Sequence, residues 1–160
     1  MKCYLFIIIG VLAIASAPPI AAQTRGGDFA AFLIKADAAQ VKLQNGSSRE
    51  YKALWSNRDD VTISGGFGGT IEKGWKNVGK RLDWAATQFS KGTNKIDRLV
   101  AIAEGNLAYL VQLEHIAFTV PATGAAGTRD FRVTMVFRRE AGKWKIVHRH
   151  ADGSLTKQGS

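Results

Sequence analysis

Cysteine is almost absent from this sequence. The single residue of this type, Cys3, lies near the N-terminus. Without that segment the chain can form no disulfide bond, no thiolate metal site and no cysteine nucleophile. Functions that depend on a thiolate are therefore excluded for the remainder of the chain.

Long apolar runs are also scarce. One covers residues 4–15, follows Lys2 and precedes a stretch of small residues. A run of this length is typical of a signal peptide and is short for a bilayer span. We expect cleavage after Ala22, because the alternative site after Ala17 is followed by Pro18, which hinders processing. The other interpretation is an uncleaved N-terminal anchor.

These features divide the chain into a signal peptide over residues 1–22 and one folded domain over residues 23–160. We expect the domain in the periplasm or secreted outside the cell. No second long apolar run follows, so no membrane association is expected after cleavage. Neither a repeat nor a linker interrupts the remainder, whose length suits one domain.

Acidic residues are few relative to basic ones. The chain carries 22 Lys and Arg against 13 Asp and Glu, and such an excess attracts anionic surfaces or ligands. The basic residues are spread thinly, and no zinc finger, RNA-recognition motif or basic helix accompanies them. We interpret the excess as a solvated basic face and expect no nucleic-acid partner.

Motifs for cofactors and metals are missing. The glycine-rich residues 65–69 lack the P-loop pattern and the context of a dinucleotide site, so we interpret them as a tight turn, with a ligand cradle as the alternative. His148 and His150 form a His-x-His pair, but no further ligand follows at metal-binding spacing. We expect no cofactor and no metal site.

The spacing of apolar residues predicts helices first and strands afterwards. Asp28 is a plausible N-cap for the first helix, and Gly92 is predicted to end the third. The expected helices cover residues 28–44, 48–55 and 71–89. The expected strands cover residues 61–64, 98–104, 107–119, 131–139 and 144–150. Helices followed by antiparallel hairpins indicate an α+β domain.

Several segments resemble the SnoaL-like branch of the nuclear transport factor 2-like superfamily. These are residues 53–56, 59–63, 74–75, 81–84, 107–109, 132–134 and 142–152. The last segment, with its Trp-x-Ile-Val-His-x-His pattern, is also similar to the association domain of calcium/calmodulin-dependent kinase. The resemblance implies a cone-shaped domain in which a curved antiparallel sheet wraps around three N-terminal helices and leaves an internal pocket.

The resemblance leaves two kinds of function open, because this fold carries many activities. One is a small-molecule-binding domain with an apolar pocket and no catalysis. The other is a small-molecule isomerase, cyclase, dehydratase or hydrolase. Ketosteroid isomerases place an acidic base where this chain has Gly65, which cannot abstract a proton, so their reaction with that base is not expected.

The last predicted strand offers two faces for the pocket. His148 and His150 share one face with Trp144, whereas Arg149 points to the other. Inward histidines would supply an acid and a base, and an inward Arg149 would hold a carboxylate. Similarity to the kinase association domain favours the arginine face. Outward histidines would pack against the sheet or a partner.

Other side chains are candidates for the same pocket. Asp59 and Asp60 would act as a base at its mouth, unless they form a solvated turn. Tyr109 and Trp84 would line it, unless they pack in the core. The weaker candidates for an acidic group are Glu104, Glu114 and Asp152.

Two partners are expected. Arg132 and Arg149 lie on hairpin neighbours and are predicted to place charge near one cavity, which favours a small apolar or acidic organic ligand. Replacing Arg149 by alanine should then weaken binding of an acidic ligand by ~1–3 kcal/mol. The strands at 107–118 and 131–137 carry more apolar residues than one core needs, which predicts a homodimer through the outer face of the sheet.

Overall fold

The computed structural model describes residues 23–153. The expected signal peptide over residues 1–22 lies outside this range. Within it, no helix combines the length and the hydropathy that crossing a bilayer requires.

The described chain is an α+β domain, as the sequence predicts. Its helices are α1 (Gln23–Leu43), α2 (Arg49–Lys52) and α3 (Trp75–Ala86). Two short strands, β1 (Thr62–Ser64) and β2 (Glu72–Lys73), lie between α2 and α3. The long strands are β3 (Ser90–Glu104), β4 (Leu107–Thr119), β5 (Ala126–Glu140) and β6 (Lys143–Asp152).

All six strands form one curved, open sheet in the order β2-β1-β6-β5-β4-β3. Every neighbouring pair is antiparallel except β1 and β6, which run parallel. The chain turns at Gly105-Asn106 between β3 and β4 and at Ala141-Gly142 between β5 and β6, and both turns contain glycine, as is common in tight hairpins.

Side chains alternate between two faces along β4, because successive residues of a strand point in opposite directions. Its inner-face residues are buried: Leu110, Gln112, Glu114 and Ile116. The inner face packs against the helices. Phe137 of β5, for example, lies with its ring centroid 5.1 Å from that of Phe29 in α1. The outer face holds Leu107 and Tyr109, which remain exposed.

All three helices differ from the sequence prediction at their ends; α2, for example, ends at Lys52 and not at residue 55. Asp28 lies inside α1 and therefore does not cap it; its carboxylate instead accepts hydrogen bonds from Arg139 and Trp144. The third helix begins at Trp75, because Gly74 before it has a positive φ of 79°, which is not a helical conformation. The two residues before this glycine pair with β1 as strand β2.

Gly92 also has a different role from the predicted helix stop. It lies within β3, which begins at Ser90, eight residues before the predicted strand. A Cβ atom on Gly92 would lie 2.4 Å from the carbonyl oxygen of Gln44. The glycine therefore allows the end of α1 to approach the sheet closely.

Candidate functional site

A cavity of about 70 Å³ lies between the helices and the inner face of the sheet. Most of its wall is apolar, and five residues with polar side chains interrupt that wall. The apolar side chains are Leu43, Ile63, Phe67, Leu82, Ala85, Phe89, Ile116 and Phe131. The polar ones are Gln40, Gln44, Tyr51, Arg81 and Arg149. An apolar wall with a few polar groups is typical of a small-molecule site.

Arg149 lies on the cavity wall and forms a buried ion pair. Its Nη1 and Nη2 atoms donate to Oε1 and Oε2 of Glu114, each over 2.9 Å. Glu114 is 0% exposed and Arg149 is 8% exposed. The long arginine side chain crosses β5 beside Met135 to reach β4. An ion pair with two parallel hydrogen bonds therefore connects β6 to β4 across the inner face of the sheet.

A β-bulge in β6 decides that Arg149 points inward. Val136 and Phe137 are consecutive in β5, yet they pair with His148 and Ile146, so Val147 is left over. One extra residue reverses the side-chain alternation beyond it. Ile146 before the bulge and Arg149 after it are therefore both buried.

Two glutamines complete the shell around Glu114. Gln40 donates to Oε2 over 2.6 Å, and Gln112 donates to Oε1 over 2.7 Å. Burial acts to raise the pKa of Glu114, but the charge of Arg149 and these hydrogen bonds outweigh it and hold the pKa below 4.5. The carboxylate is thus ionised at neutral pH, and the described contacts occupy both of its oxygens.

Two buried polar atoms among the cavity residues have no partner within residues 23–153. They are the hydroxyl of Tyr51 and the amide oxygen Oε1 of Gln44. The two side chains are 2% and 1% exposed, respectively. Burial raises the pKa of Tyr51 to about 12, so its hydroxyl remains a neutral donor. Folded proteins leave few such atoms unsatisfied, so these two are exceptions on residues that line the cavity.

Residues 65–67 of the glycine-rich stretch line part of the cavity, and all three are only partly buried. The ring of Phe67 lies 5.3 Å from the rings of Trp84 and of Phe89, measured between centroids. Arg81 donates to the carbonyl oxygen of Gly68 over 2.8 Å and stacks on Trp84. This turn therefore brings the ring of Phe67 to the cavity wall, where Arg81 also lies.

The histidines lie on the other side of the sheet. Beyond the bulge, His148 and His150 point to the outer face; His148 is half-buried and His150 is exposed. The Nδ1 atom of His148 lies 2.7 Å from the hydroxyl oxygen of Thr62. The expectation that the histidines share a face with Trp144 is wrong, because Val147 shifts the alternation between them.

The partial burial of His148 should make the folded protein less stable in mild acid. Burial, and to a smaller extent the nearby His150, lower its pKa below 6.5. The folded chain therefore binds fewer protons at this site than the unfolded chain. The contribution of neutral His148 to the free energy of unfolding is fully present above pH 6.5 and is lost as the pH falls below that value.

Urea unfolding midpoints across this pH range would measure the decline. The variant His148→Gln should show a smaller decline of the midpoint with falling pH. The control His150→Gln, at an exposed position on the same strand, should keep most of the decline. An equally steep decline in the His148→Gln variant would assign the effect to another group.

The other charged candidates also lie away from the cavity. Asp59 and Asp60 are exposed, and Asp60 accepts a hydrogen bond of 2.6 Å from Arg138. Arg132 is exposed and donates to Asp152. The expectation that Arg132 shares a cavity with Arg149 is wrong, since Arg132 pairs in register with Asp152 on the outer face.

The aromatic candidates do not line the cavity directly. Tyr109 is 42% exposed on the outer face of β4. Trp84 is 41% exposed on α3 and contacts the cavity wall through Phe67 and Arg81. The structure thus brings only Arg149 of the main candidates into the cavity.

Sequence reasoning ranked Glu114 low and did not select Tyr51, Gln44 or Gln40. One signal was available for Glu114. In the alternating pattern of β4, Gln112 and Glu114 occupy the face that is otherwise apolar. A carboxylate at such a position requires a buried partner. The sequence alone did not identify that partner, because Arg149 lies 35 residues away.

Comparisons with known proteins agree with this architecture. A family model described as a SnoaL-like domain matches residues 35–152. No curated protein matches the chain.

Among solved structures, similar folds include a nuclear transport factor 2-like superfamily protein from Salmonella enterica serovar Typhimurium. It has a TM-score of 0.73 and 21% identity, over 87% of this chain and 96% of that one. A ketosteroid isomerase-like protein from Erwinia carotovora atroseptica has a TM-score of 0.68 and 14% identity, over 81% and 96%. The association domain of CaMKII from C. elegans has a TM-score of 0.58 and 15% identity, over 81% and 98%. At these identities the similarity establishes the fold alone.

Proposed function

Because the chain belongs to the SnoaL-like family, whose fold includes both ligand-binding proteins and isomerases or dehydratases, we propose that it binds a small organic molecule in its inner cavity without transforming it. One observation favours binding over catalysis. Within residues 23–153, no histidine or unpaired carboxylate lines the cavity.

The absence of a free acid or base at this wall opposes catalysis. General acid–base chemistry needs a group that can gain or lose a proton within reach of the substrate. Glu114 is tied to Arg149 and two glutamines, and Tyr51 keeps its proton at neutral pH. The enzymatic alternative relied on His148, His150, Asp59 and Asp60, whose positions outside the cavity give it no support.

Filling the cavity tests the proposal. Ala85 lines the wall from α3, so Ala85→Phe should occupy the space and abolish binding. Ala38→Phe makes the same change at an exposed position of α1 and serves as the control. Native mass spectrometry with a panel of small aromatic and alicyclic compounds should show one bound molecule per wild-type and Ala38→Phe chain. Absence of binding to the wild type, or equal binding to Ala85→Phe, would refute the proposal.

The location proposed for this domain is the periplasm or the exterior, on the basis of the N-terminal pattern of the sequence. N-terminal sequencing of the exported protein should begin at Gln23, because small residues precede that position. A chain that still begins at Met1 would support the uncleaved anchor instead.

The assembly proposed is a homodimer through the outer face of the sheet. Three apolar side chains form a row across neighbouring strands there: Ile102 pairs with Tyr109, and Tyr109 pairs with Val136. Ile102 and Leu107 are 50% and 58% exposed. An exposed apolar row of this kind favours contact with a second copy of itself.

A charge placed in this row should separate the dimer. We expect Tyr109→Glu to sediment as a monomer at concentrations where the wild type is a dimer, because each copy would bury an unpaired carboxylate in an apolar contact. Ile34→Glu, at a 71% exposed position of α1, is the control and should remain dimeric. A wild-type chain that is monomeric over a wide concentration range would exclude this assembly.

A further inference from the structure

Arg149, the arginine expected to hold an acidic ligand, already has an anion within the protein. Glu114 accepts two hydrogen bonds of 2.9 Å from its guanidinium. The pair is neutral as a unit, so Arg149 needs no further anion. A second arginine at the wall of the same cavity, Arg81, has no such partner among the described residues.

Arg81 and Arg129 differ from the other arginines of residues 27–153, because neither forms an ion pair within that range. The arginines that do pair with a carboxylate are Arg49, Arg58, Arg98, Arg132, Arg138, Arg139 and Arg149. Arg129 is exposed, lies over the ring of Phe67 and does not line the cavity. Arg81 is partly buried and lines it. Arg81 therefore leaves an uncompensated positive charge at this wall.

Two contacts hold the guanidinium of Arg81 in place. Its Nη2 atom donates to the carbonyl oxygen of Gly68 over 2.8 Å, and its Cζ atom lies 4.4 Å from the centre of the Trp84 ring. The group lies beside Gly65 of the cavity wall, where a Cβ atom would be 3.2 Å from Nη2 and 3.3 Å from Nε. A guanidinium carries five N–H donors, and only the bond to Gly68 engages them within residues 27–153, so others remain for a ligand.

Arg81 also borders an open cleft of about 330 Å³ along α3. The other residues of this cleft are Glu72, Asn77, Lys80 and Trp84. Glu72 forms no ion pair with Arg81 within the described range, and the charge of Lys80 balances it. An anion bound to Arg81 would therefore keep contact with water on this side, which lowers the cost of removing it from solvent.

We propose that the inner cavity binds a small organic acid, with its carboxylate at Arg81 and its apolar body against the wall that includes Leu82, Phe89 and Ile116. This inference rests on the proposed binding function and names its ligand class. A carboxylate accepts two parallel hydrogen bonds from a guanidinium, and such charge-assisted bonds are stronger than bonds between neutral groups.

The volume of the cavity limits the body of this acid. An apolar cavity that holds benzene measures about 150 Å³, whereas this one measures about 70 Å³. A chain of a few carbon atoms therefore fits it directly. A six-membered ring fits only where Phe67, which is partly buried, moves aside. Butanoate represents the first kind of acid and benzoate the second.

Matched acids and amides test the inference at neutral pH and constant ionic strength. Butanamide and benzamide have the shapes of butanoate and benzoate without the charge. In titrations followed by protein NMR, the wild type should bind each acid about tenfold more tightly than its amide, the difference between a charge-assisted and a neutral hydrogen bond. Arg81→Gln should bind acid and amide equally. Arg129→Gln, which removes an unpaired arginine outside the cavity, should keep the preference.

Two substitutions at Gly65 supply an independent test. Gly65 has no positive φ, so its backbone accepts a side chain, and the flexible end of Arg81 can move to make room. Gly65→Asp places a carboxylate beside the guanidinium and should abolish the preference for acids, because the charge is then paired within the protein. Gly65→Asn has the same shape without the charge and should change the affinities for acid and amide by the same factor.

Several outcomes would overturn the inference and leave the binding function intact. They are equal binding of acids and amides to the wild type, an acid preference that survives Arg81→Gln or Gly65→Asp, and an equal loss of preference in Arg129→Gln and Arg81→Gln. Failure of all four probes to bind the wild type would instead count against the binding function itself.

Discussion

Arg149→Met is expected to lower the free energy of unfolding by about 3–5 kcal/mol, because it leaves the carboxylate of Glu114 buried without a counter-charge. The carboxylate is 0% exposed and would retain only its hydrogen bonds from Gln40 and Gln112. Chemical denaturation monitored by tryptophan fluorescence would measure the loss. The cost should fall in acid, where Glu114 can take up a proton.

Two controls separate this effect from loss of side-chain packing. Arg132→Met removes an exposed arginine from the neighbouring strand and should cost about 0–1 kcal/mol, the usual value of a surface ion pair. The double variant Arg149→Met, Glu114→Leu removes both charges and should recover most of the stability. If the double variant is no more stable than Arg149→Met, unpaired charge is not the cause of the loss.

Gly92→Ala is expected to destabilise the fold by about 1–3 kcal/mol or more, because its added methyl group meets backbone rather than a movable side chain. The new Cβ would lie 2.4 Å from the carbonyl oxygen of Gln44. The same contact includes two hydrogen bonds between Gly92 and the side-chain amide of Asn45, of 2.9 and 3.1 Å. The end of α1 would have to move away from β3, and Gln44 with it.

Gly27→Ala is the control for this substitution. Gly27 lies in α1, is exposed, and has no atom within 4 Å of an added Cβ. Alanine favours a helix over glycine, so this change should stabilise the protein by about 0.5–1 kcal/mol. Opposite signs for the two substitutions would locate the cost at the contact between α1 and β3. A Gly92→Ala variant as stable as the wild type would contradict the close approach.

Local patterns were sufficient to predict most of the elements. The alternation and turn residues of β4 predicted that strand with the same limits, Leu107 to Thr119. The amphipathic spacing of α1 and α3 predicted both helices, with errors at their ends. The errors at the ends of α3 arose where a long-range contact replaces a local one: Gly74 donates its backbone N–H to the carbonyl oxygen of Val61, and Gly92 lies in β3 against Gln44.

The sequence by itself determined the class of the fold, because the apolar spacing of helices and strands is a local property that each segment carries. It also placed the histidines and Arg149 on opposite faces of β6. The tertiary structure alone decided which face lines the cavity, because the bulge at Val147 exists only when β6 pairs with β5. It likewise joined Arg149 to Glu114 and left the Tyr51 hydroxyl and the Gln44 amide oxygen unpaired within residues 23–153. A cavity and the ion pair on its wall depend on which distant residues meet, and no local pattern specifies that.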